Sequence, residues 1–390
     1  MATLKFKDPS PYKLPPPQPH SSDYVFEEYN KDLFLKTDSR GLQKPVNVAL
    51  FGLGRAGTLH LRNLSFNPRA KILYIVDDIE ERMHSCKKYW RLEGAQCIKM
   101  SEADKVFNDP ELDAVVISTP TFTHEKITRR ALAKGKFVFC EKPVAQDLET
   151  AKRCYEEARR VGKPLFTAFN RRFDPSYSNV RERVHSGEVG HVQIVKITSK
   201  DCMLAPIEYM KTSGGIFTDS LVHDIDMMCW MVGEFPNRVA AMGSANVPEV
   251  GALDDFDTVA VLAHFPSGTI GIINLTRNSD FGYDQRLEVF GSRGMVAAGN
   301  ERPMAGVTVQ RGLSGEVRHP IYFTFASRYK EAYQREMEHF LDVVQGKESE
   351  LKVKDYETMA VSKIAAACEK SAKTGTFVNI SWGDDEIPKN

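Results

Sequence analysis

The chain of 390 residues is long enough for roughly two or three domains, and its 52 basic residues balance its 52 acidic residues. This neutrality argues against a nucleic-acid or membrane-surface ligand, and no apolar run is long enough to cross a membrane. The seven cysteines are scattered without a CxxC pair, so we expect no disulfide framework, no metal site, and a reducing, cytoplasmic location.

Residues 1–44 are predicted to form an N-terminal extension. The stretch Asp8–His20 is dense in proline, which lacks a backbone N–H and cannot continue a helix or a central strand. We therefore predict an extended arm without chemistry of its own, with a polyproline ligand for a partner protein as the alternative. The segment lacks the basic start and apolar centre of a secretory leader, and we expect none.

The segment Val46–Phe51 runs directly into a glycine-rich turn. It is almost entirely apolar, as in a parallel strand buried on both faces, and the next residues are Gly52-Leu53-Gly54-Arg55-Ala56-Gly57. Glycines at this spacing allow a tight turn, close approach of a pyrophosphate, and tight packing of the following helix, predicted from Thr58 to Leu64. The motif predicts a dinucleotide site with phosphates at the helix N-terminus and Arg55 beside them. A glycine-rich turn without a ligand is the alternative.

A second predicted strand, Lys71–Val76, ends at two carboxylates, Asp77 and Asp78. Asp77 stands about 20 residues after the last glycine of the motif, where an acidic side chain accepts hydrogen bonds from the adenosine ribose. Two negative charges at this point repel the 2′-phosphate of NADP, and the first basic residue that follows is Arg82. The sequence therefore favours NAD as the cofactor.

Strands and helices alternate up to residue 168. Further strands are predicted at Asp113–Ser118, Phe137–Cys140 and Pro164–Ala168, with helices at Thr123–Ala133, capped by Thr123, and Leu148–Val161. This α/β alternation predicts a doubly wound parallel sheet of the Rossmann type over residues 45–168. Ligands lie at the carboxyl ends of such strands, so the informative loops are 118–124, 141–143 and 170–174.

After about residue 187 the pattern changes to long strands joined by hairpin turns. Strands predicted at 191–198, 238–247, 257–264, 269–275 and 286–290 indicate a large, mostly antiparallel open sheet. Helices are predicted at 216–232, around Tyr333 up to Gly346, and at 355–372, with a last strand at 377–380. We therefore predict an α+β substrate and oligomerisation domain over 169–323 and C-terminal helices that pack back over 324–390.

Several motifs together resemble one known family. GLGRAG at 52–57, Asp77, STPTFTH at 118–124, EKP at 141–143 and DSLVH at 219–223 are similar to marks of the glucose–fructose oxidoreductase, inositol dehydrogenase and rhizopine-catabolism (Gfo/Idh/MocA) family. NRRFD at 170–174, GGIFTDSLVHDID at 214–226 and GYDQRLEVFGSRGM at 282–295 resemble its inositol 2-dehydrogenase branch. The resemblance implies an NAD-dependent dehydrogenase that oxidises a secondary hydroxyl of a cyclic polyol, such as myo- or scyllo-inositol, and forms a homodimer or homotetramer through its C-terminal sheet.

The resemblance also implies the site residues. The catalytic residues would be Lys142, Asp219 and His223. The cofactor would be bound by Gly52, Leu53, Gly54, Arg55, Ala56, Gly57, Asp77, Asp78, Ser118, Thr119, Pro120, Thr121, His124, Glu141 and Lys142. The substrate hydroxyls would be met by Asn170, Arg171, Asp201 and Tyr283.

The three catalytic candidates also suit alcohol oxidation on chemical grounds. Asp219 and His223 stand four residues apart and would share one face of a helix, and an imidazole with an ordinary pKa of about 6.5 accepts a proton at neutral pH. Asp219 would orient the ring or bind a hydroxyl, and Lys142 would stabilise a developing alkoxide. A surface pair on a helix and a solvated loop lysine are the structural alternatives.

Two alternative functions stay open. One is a dehydrogenase or reductase of another sugar, because Phe281 stands where some inositol dehydrogenases carry a tyrosine. The other is a non-catalytic dinucleotide-binding sensor, as occurs in the wider family, although retention of Lys142, Asp219 and His223 favours catalysis.

The predicted strands between Asp257 and Leu275 indicate an assembly surface. Alternation places Val259, Val261 and Ala263 on one face and Ala260, Leu262 and His264 on the other, so neither face is purely polar. One face can cover a helix, and the other then needs a partner, since large apolar patches are rare on monomers.

Overall fold

The computed structural model describes residues 44–310, 312, 315–383 and 386–387. The predicted N-terminal arm, up to residue 43, lies outside these residues. The described residues from 45 onward form one compact unit that contains two large sheets and a small two-stranded hairpin. Within the described ranges, no helix is both long and apolar enough to span a membrane. The division of this unit at residues 168 and 323 stays a prediction.

The first half of the unit is a parallel sheet between two apolar cores. Its elements are β1 (Val46–Phe51), α1 (Arg55–Ser65), β2 (Ala70–Val76), α2 (Glu80–Tyr89), β3 (Gln96–Ile98), α3 (Ala103–Phe107), β4 (Ala114–Ile117), α4 (His124–Ala133), β5 (Phe137–Glu141), α5 (Leu148–Val161) and β6 (Leu165–Ala168). All neighbours pair in parallel in the order β3-β2-β1-β4-β5-β6. Every residue of β1 is buried, with Leu50 in one core and Phe51 in the other, which explains its apolar run. The predicted doubly wound sheet is confirmed.

Two local details of this sheet differ from the prediction. The prediction lacks α2, β3 and α3, because α2 buries a single residue, Met83, and β3 and α3 have only three and five residues, so none shows a clear period. Thr123 precedes α4, but its hydroxyl donates to the oxygens of Thr119 (2.6 Å) and Pro120 (2.8 Å) instead of accepting from the helix. The side-chain cap predicted at Thr123 is therefore wrong, and a short 3₁₀ turn, Thr121–Thr123, leads into the helix.

The second half is built on a seven-stranded sheet. Its elements are α6 (Pro175–His185), β7 (Val192–Lys200), α7 (Ile207–Ser213), α8 (Val222–Val232), β8 (Arg238–Ser244), α9 (Pro248–Gly251), β9 (Thr258–His264), β10 (Ile270–Thr276), β11 (Asp284–Gly291), β12 (Gly294–Ala298), β13 (Thr308–Gln310), β14 (Glu316–Arg318), α10 (Phe325–Arg328), α11 (Lys330–Val344), α12 (Asp355–Thr374) and β15 (Val378–Asn379). The strand order is β12-β11-β7-β10-β9-β8-β15. The central pair, β7 with β10, is parallel and the other pairs are antiparallel, which confirms a mostly antiparallel sheet.

The two faces of this sheet have different surroundings. Val259, Val261 and Ala263 are each 2% exposed and belong to the apolar core that also contains residues of α8 and α12. On the opposite face Leu262 is 51% exposed. The predicted alternation along β9 is therefore present, and the described helices cover the face that carries Val259, Val261 and Ala263.

The segment predicted as one α-helix over 216–232 is not a single regular helix. A π-helical turn from Phe217 to Leu221 precedes α8. The chain enters this turn through Gly214 and Gly215, which have φ values of +88° and +82°, and the backbone N–H of Ile216 donates to Asp255 Oδ1 (2.9 Å). The π turn changes the angular position of Asp219 relative to α8. The prediction that one regular helix carries Asp219 and His223 four residues apart is therefore corrected.

Candidate active site

One cavity of about 720 Å³ receives the carboxyl ends of strands from both sheets. Residues that follow β1, β2, β4, β5 and β6 line it from the parallel sheet, and residues at the ends of β7 and β10 line it from the mixed sheet. Carboxyl ends of parallel strands are where ligands lie in open α/β sheets. The cavity therefore joins the predicted cofactor loops to the predicted substrate residues.

The glycine motif forms the wall of one end of the cavity. Gly52 has a φ of +89°, and a Cβ there would lie 2.6 Å from the carbonyl oxygen of Ser118, so only glycine fits this turn. Gly54 caps α1 without a side-chain hydrogen bond and has no heavy atom within 4 Å of where its Cβ would stand. The open space at Gly54 and the free N–H groups of the first turn suit a pyrophosphate.

Two residues of the motif support the turn from behind. Gly57 packs against the turn, since a Cβ there would lie 2.0 Å from the oxygen of Gly52. Leu53 is 2% exposed and donates its backbone N–H to Asp77 Oδ2 (2.7 Å). Neither residue lines the cavity, whereas the other predicted cofactor residues do.

The carboxylate of Asp77 stands at the end of β2, as predicted for a ribose acceptor. Its second oxygen accepts the N–H of Ile79 (2.9 Å), and Asp78 Oδ1 accepts that of Met100 (3.1 Å). Arg82 Nη1 lies 3.9 Å from Asp77. On the other wall, Ser118 Oγ is buried and has no hydrogen-bond partner among the described residues. This unpaired hydroxyl, the Asp77 carboxylate and the open turn together fit a bound NAD.

His124 connects two loops of the cofactor end. Its Nδ1 lies 2.7 Å from the carbonyl oxygen of Pro143 and its Nε2 lies 2.8 Å from that of Thr119. Burial lowers the pKa of this histidine, although the two carbonyl groups oppose the shift. The ring thus holds loop 118–124 against loop 141–143 and needs no chemical role.

Lys142 follows β5 and bridges to the other half of the site. The Lys142–Pro143 peptide bond is cis. Lys142 Nζ donates a 2.5 Å hydrogen bond to the carbonyl oxygen of Asp219 and lies 3.4 Å from Asp219 Oδ1. With its side chain 13% exposed, the ammonium group is fixed inside the cavity and is not a solvated loop lysine.

The carboxylate of Asp219 is held from several sides, and its partners differ from the predicted one. Tyr209 donates its hydroxyl to Oδ1 (2.9 Å), and Arg277 Nη1 lies 3.5 Å from Oδ2. Among the residues that the structure describes, the hydrogen bonds and ion pairs of this carboxylate go to Lys142, Tyr209 and Arg277. Asp219 therefore orients the lysine and not the ring of His223.

The His223 ring lines the same cavity with limited access to solvent. Its Nδ1 is buried and has no hydrogen-bond partner in the described part of the chain, and the ring meets Phe169 edge-on at 6.1 Å. Burial, reinforced by the charges of Lys142 and Arg171, holds the pKa of His223 well below its usual value. The ring is therefore neutral near neutral pH and has a lone pair that can accept a proton.

The four predicted substrate residues line the end of the cavity away from the glycine turn. Asn170 and Arg171 lie on a buried 3₁₀ turn after β6, where Arg171 pairs with Asp224. Burial raises the pKa of Asp201 to about 6, partly offset by the positive charge of Arg171. Tyr283 is 6% exposed and lies against the ring of Tyr329. These donors and acceptors suit a ligand with many hydroxyl groups.

Tyr209 and Arg277 are among the polar residues of this cavity that sequence reasoning missed. Tyr209 lies on α7, a helix of seven residues, and Arg55 lies over its ring at 4.5 Å. Arg277 follows β10, which pairs in parallel with β7, so it stands beside Asp201 at the end of that strand. The signal that could have identified Arg277 is a lone cation directly after an apolar strand, once that strand is known to end at the cavity.

The fold and this site define an oxidoreductase that carries an NAD-binding Rossmann domain. The model of the oxidoreductase family with an NAD-binding Rossmann fold matches residues 46–169, and the GFO/IDH/MocA C-terminal domain matches residues 177–297. The chain belongs to the Gfo/Idh/MocA family, and the resemblance found in the sequence is confirmed.

Inositol dehydrogenases are among the relatives of this chain. An inositol 2-dehydrogenase of Rhizobium meliloti is 35% identical over 86% of the chain and 99% of its own length. The crystal structure of a myo-inositol dehydrogenase from Corynebacterium glutamicum has a TM-score of 0.79 at 34% identity, covering 87% of this chain and all of that one. A scyllo-inositol dehydrogenase of Lactobacillus casei, solved with NAD(H) and scyllo-inositol, has a TM-score of 0.79 at 25% identity over 86% of this chain and 99% of its own.

Proposed function

We propose that this protein oxidises a secondary hydroxyl of an inositol with NAD as the hydride acceptor. The observation that carries the proposal is that Lys142, Asp219 and His223 line one cavity with the glycine turn at one end and a set of hydroxyl-binding side chains at the other. The names of the relatives, which include myo- and scyllo-inositol dehydrogenases, support this substrate class.

Each residue of the catalytic trio has a distinct part in the proposed reaction. NAD, held by the glycine turn and Asp77, supplies the hydride acceptor. Neutral His223, whose ring lines the cavity, takes the hydroxyl proton. Lys142 places its ammonium group where negative charge develops on the substrate oxygen. Asp219 fixes that ammonium group by its carbonyl oxygen and by Oδ1.

The charge balance around the substrate end favours a neutral ligand. Arg171 is paired with Asp224, and Arg277 lies between Asp219 and a second carboxylate, Asp255. Neither guanidinium group is left without a counter-charge, so a sugar acid or sugar phosphate gains little attraction here. A neutral polyol, whose hydroxyl groups both donate and accept, matches the mixed lining better.

The direct test is the formation of NADH from a panel of polyols. Purified protein with NAD should produce NADH from myo- or scyllo-inositol, and slowly or not at all from glucose and other aldoses. NADP in place of NAD should give much lower kcat/KM. Binding of NAD without turnover of any polyol would point to the sensor, and preference for an open or pyranose sugar to the alternative dehydrogenase.

We further propose that the face of the mixed sheet left exposed by the described helices joins copies of this chain into a homodimer or homotetramer. Register places Met295, Phe290, Ile194 and Ile270 in one continuous row across β12, β11, β7 and β10. Met295, Phe290 and Ile270 are 57%, 43% and 43% exposed in one chain. Such a patch is rare on monomers and suits a self-complementary interface.

Light scattering at micromolar protein should therefore give a multiple of the 43.9 kDa chain mass. The double variant Phe290→Asp with Ile270→Glu should lower that mass by breaking the contact. Phe66→Asp changes a residue that is 71% exposed but lies beyond the end of α1, and it serves as the matched control. A wild type with the mass of one chain would contradict this proposal.

We propose a cytoplasmic location because the cysteines are free thiols. All seven, each within the described ranges, are free. Free cysteines that are also partly exposed, such as Cys86 and Cys97, suit a reducing compartment.

A further inference from the structure

Arg277 is a buried arginine that no part of the proposed mechanism uses. Its side chain is 3% exposed, yet it lines the active-site cavity. Its Nε and Nη2 have no hydrogen-bond partner among the residues that the structure describes. Buried N–H groups without partners are uncommon in folded proteins and are typical of sites under functional constraint.

The guanidinium group lies between two carboxylates that belong to different parts of the site. Nη1 lies 3.5 Å from Oδ2 of Asp219, and Nη2 lies 3.5 Å from Oδ2 of Asp255. The two oxygens of Asp219 thus face different partners, since Lys142 and Tyr209 approach Oδ1. A carboxylate contacted at both oxygens cannot rotate without losing one set of contacts.

Asp255, one of the two carboxylates beside Arg277, is itself held by the backbone. Its Oδ1 accepts the backbone N–H groups of Ile216 (2.9 Å) and Phe256 (2.8 Å). Ile216 is the residue directly before the π turn that carries Asp219. The backbone N–H of Arg277 in turn donates to the carbonyl oxygen of Asp257 (2.8 Å). Arg277 and the start of the π turn are therefore both tied to the segment 255–257.

We infer that Arg277 is a positioning residue for the proposed oxidation: anchored at Asp255, it holds Asp219 so that Asp219 in turn holds the ammonium group of Lys142. The inference rests on the proposed function, because its consequence is the placement of Lys142 at the reacting oxygen. Misplacing a catalytic group by about 1 Å costs on the order of 10²-fold in rate. Arg277 is thereby expected to affect kcat without touching the cofactor.

The test compares Arg277→Met and Arg277→Lys with a matched control. We expect Arg277→Met to lower kcat by about 10- to 100-fold while the Kd for NAD stays within about twofold, and Arg277→Lys to recover part of the loss because it keeps the charge. Arg69 also bridges two carboxylates, Glu338 and Asp342, but lies outside the cavity. Arg69→Met should leave kcat unchanged.

A double-mutant cycle with Asp219→Asn separates positioning from general damage. If Arg277 acts through Asp219, then adding Arg277→Met to the Asp219→Asn variant should lower kcat further by less than about threefold. Fully multiplicative losses would overturn the inference, as would an unchanged kcat in Arg277→Met. A melting temperature measured for each variant identifies one that fails to fold, in which case Arg277→Lys decides. A wild type without polyol turnover would overturn the proposed function itself, whereas an active wild type with unaffected Arg277 variants overturns this inference alone.

Discussion

The ammonium group of Lys142 donates a 2.5 Å hydrogen bond to the carbonyl oxygen of Asp219, which lies 77 residues further along the chain. Lys142 follows a strand of the parallel sheet, and Asp219 lies on the π turn that precedes α8 in the second half of the molecule. This bond joins the half of the site that suits NAD to the half that suits the polyol. Asp219 holds this ammonium group through its backbone carbonyl oxygen and, at 3.4 Å, through Oδ1 of its side chain.

Replacement of Lys142 should therefore abolish the reaction and not the fold. We expect Lys142→Ala to lower kcat at least 10²-fold, since electrostatic and acid–base groups contribute at least that much. The melting temperature should change little, because the lysine adds little packing. Lys126→Ala, at an exposed position of α4, is the control that should keep full activity. More than about a tenth of wild-type turnover in Lys142→Ala would remove this residue from the mechanism.

Replacement of Asp77 should weaken NAD and relax discrimination against NADP. Asp77→Ala removes a carboxylate placed to accept the ribose hydroxyls, and it also removes the acceptor for the Leu53 N–H. Arg82 lies 3.9 Å from that carboxylate in the wild type. In the variant it has lost this partner and can contact a 2′-phosphate. The ratio of kcat/KM for NAD over NADP should fall, while Asp104→Ala, at an exposed position of α3, should leave it unchanged. A wild type that prefers NADP would contradict the assignment of Asp77, directly after β2, as the acceptor for the adenosine ribose.

The pH profile should rise in two steps that belong to the coupled site. Burial, with Lys142 and Arg171, holds the pKa of His223 well below its usual value, so this base becomes neutral at a low pH. Burial raises the pKa of Asp201 to about 6, so its charge forms later. As pH rises, kcat/KM should increase as His223 loses its proton and increase again near pH 6.

Two variants assign these steps. His223→Asn keeps the size of the side chain but lacks a titrating nitrogen, so it should lose the low-pH step and about 10²-fold in kcat, with NAD affinity unchanged. Asp201→Asn should lose the step near pH 6 and raise KM for the polyol. If His223→Asn keeps normal turnover and an unchanged profile, then the base lies elsewhere and Asp219 is the next residue to test.

Local patterns were sufficient to predict the cofactor end of the site. The strand, the glycine turn and Asp77 are close in sequence, and their physical requirements are local: burial on both faces for Val46–Phe51 and space for the backbone at Gly52 and Gly54. The motif at Lys142 was equally visible, because it directly follows a buried strand. For these residues the order along the chain already determines the geometry.

The substrate end depended on pairing that no local pattern contains. Hairpin turns indicated antiparallel neighbours, but β7 and β10 are parallel, and this pairing brings Asp201 and Arg277 side by side at the cavity. The π turn is also not a local signal, since Phe217–Leu221 has the composition of an ordinary helix. It is stabilised from outside, by Asp255, which accepts the N–H of Ile216. Tyr209 was missed because α7 has seven residues and little periodicity.

The buried carboxyl group of Glu336 should make stability depend on pH. Glu336 lies on α11 with no exposed surface, and neither of its oxygens has a hydrogen-bond partner among the described residues. Burial, followed by the negative charge of Glu141, raises the pKa of Glu336 well above its usual value. The folded protein thus keeps a proton that the unfolded chain releases above its ordinary pKa of about 4.3. Consequently the free energy of unfolding should fall as pH rises from that value towards the folded pKa.

Glu336→Gln removes the ionisable carboxyl group, and with it this pH dependence of the free energy of unfolding, while keeping the shape of the side chain. At about pH 4 the variant should match the wild type, and above that it should gain up to about 1.4 kcal/mol per pH unit until the folded pKa is reached. Thermal melts at about pH 5 and pH 8 measure the difference, which should be larger at the higher pH. Glu331→Gln, on the same helix with its side chain 58% exposed, is the control that should show no such trend. If the gain in melting temperature is the same at both pH values, then Glu336 is ionised in the folded protein and the predicted linkage is wrong.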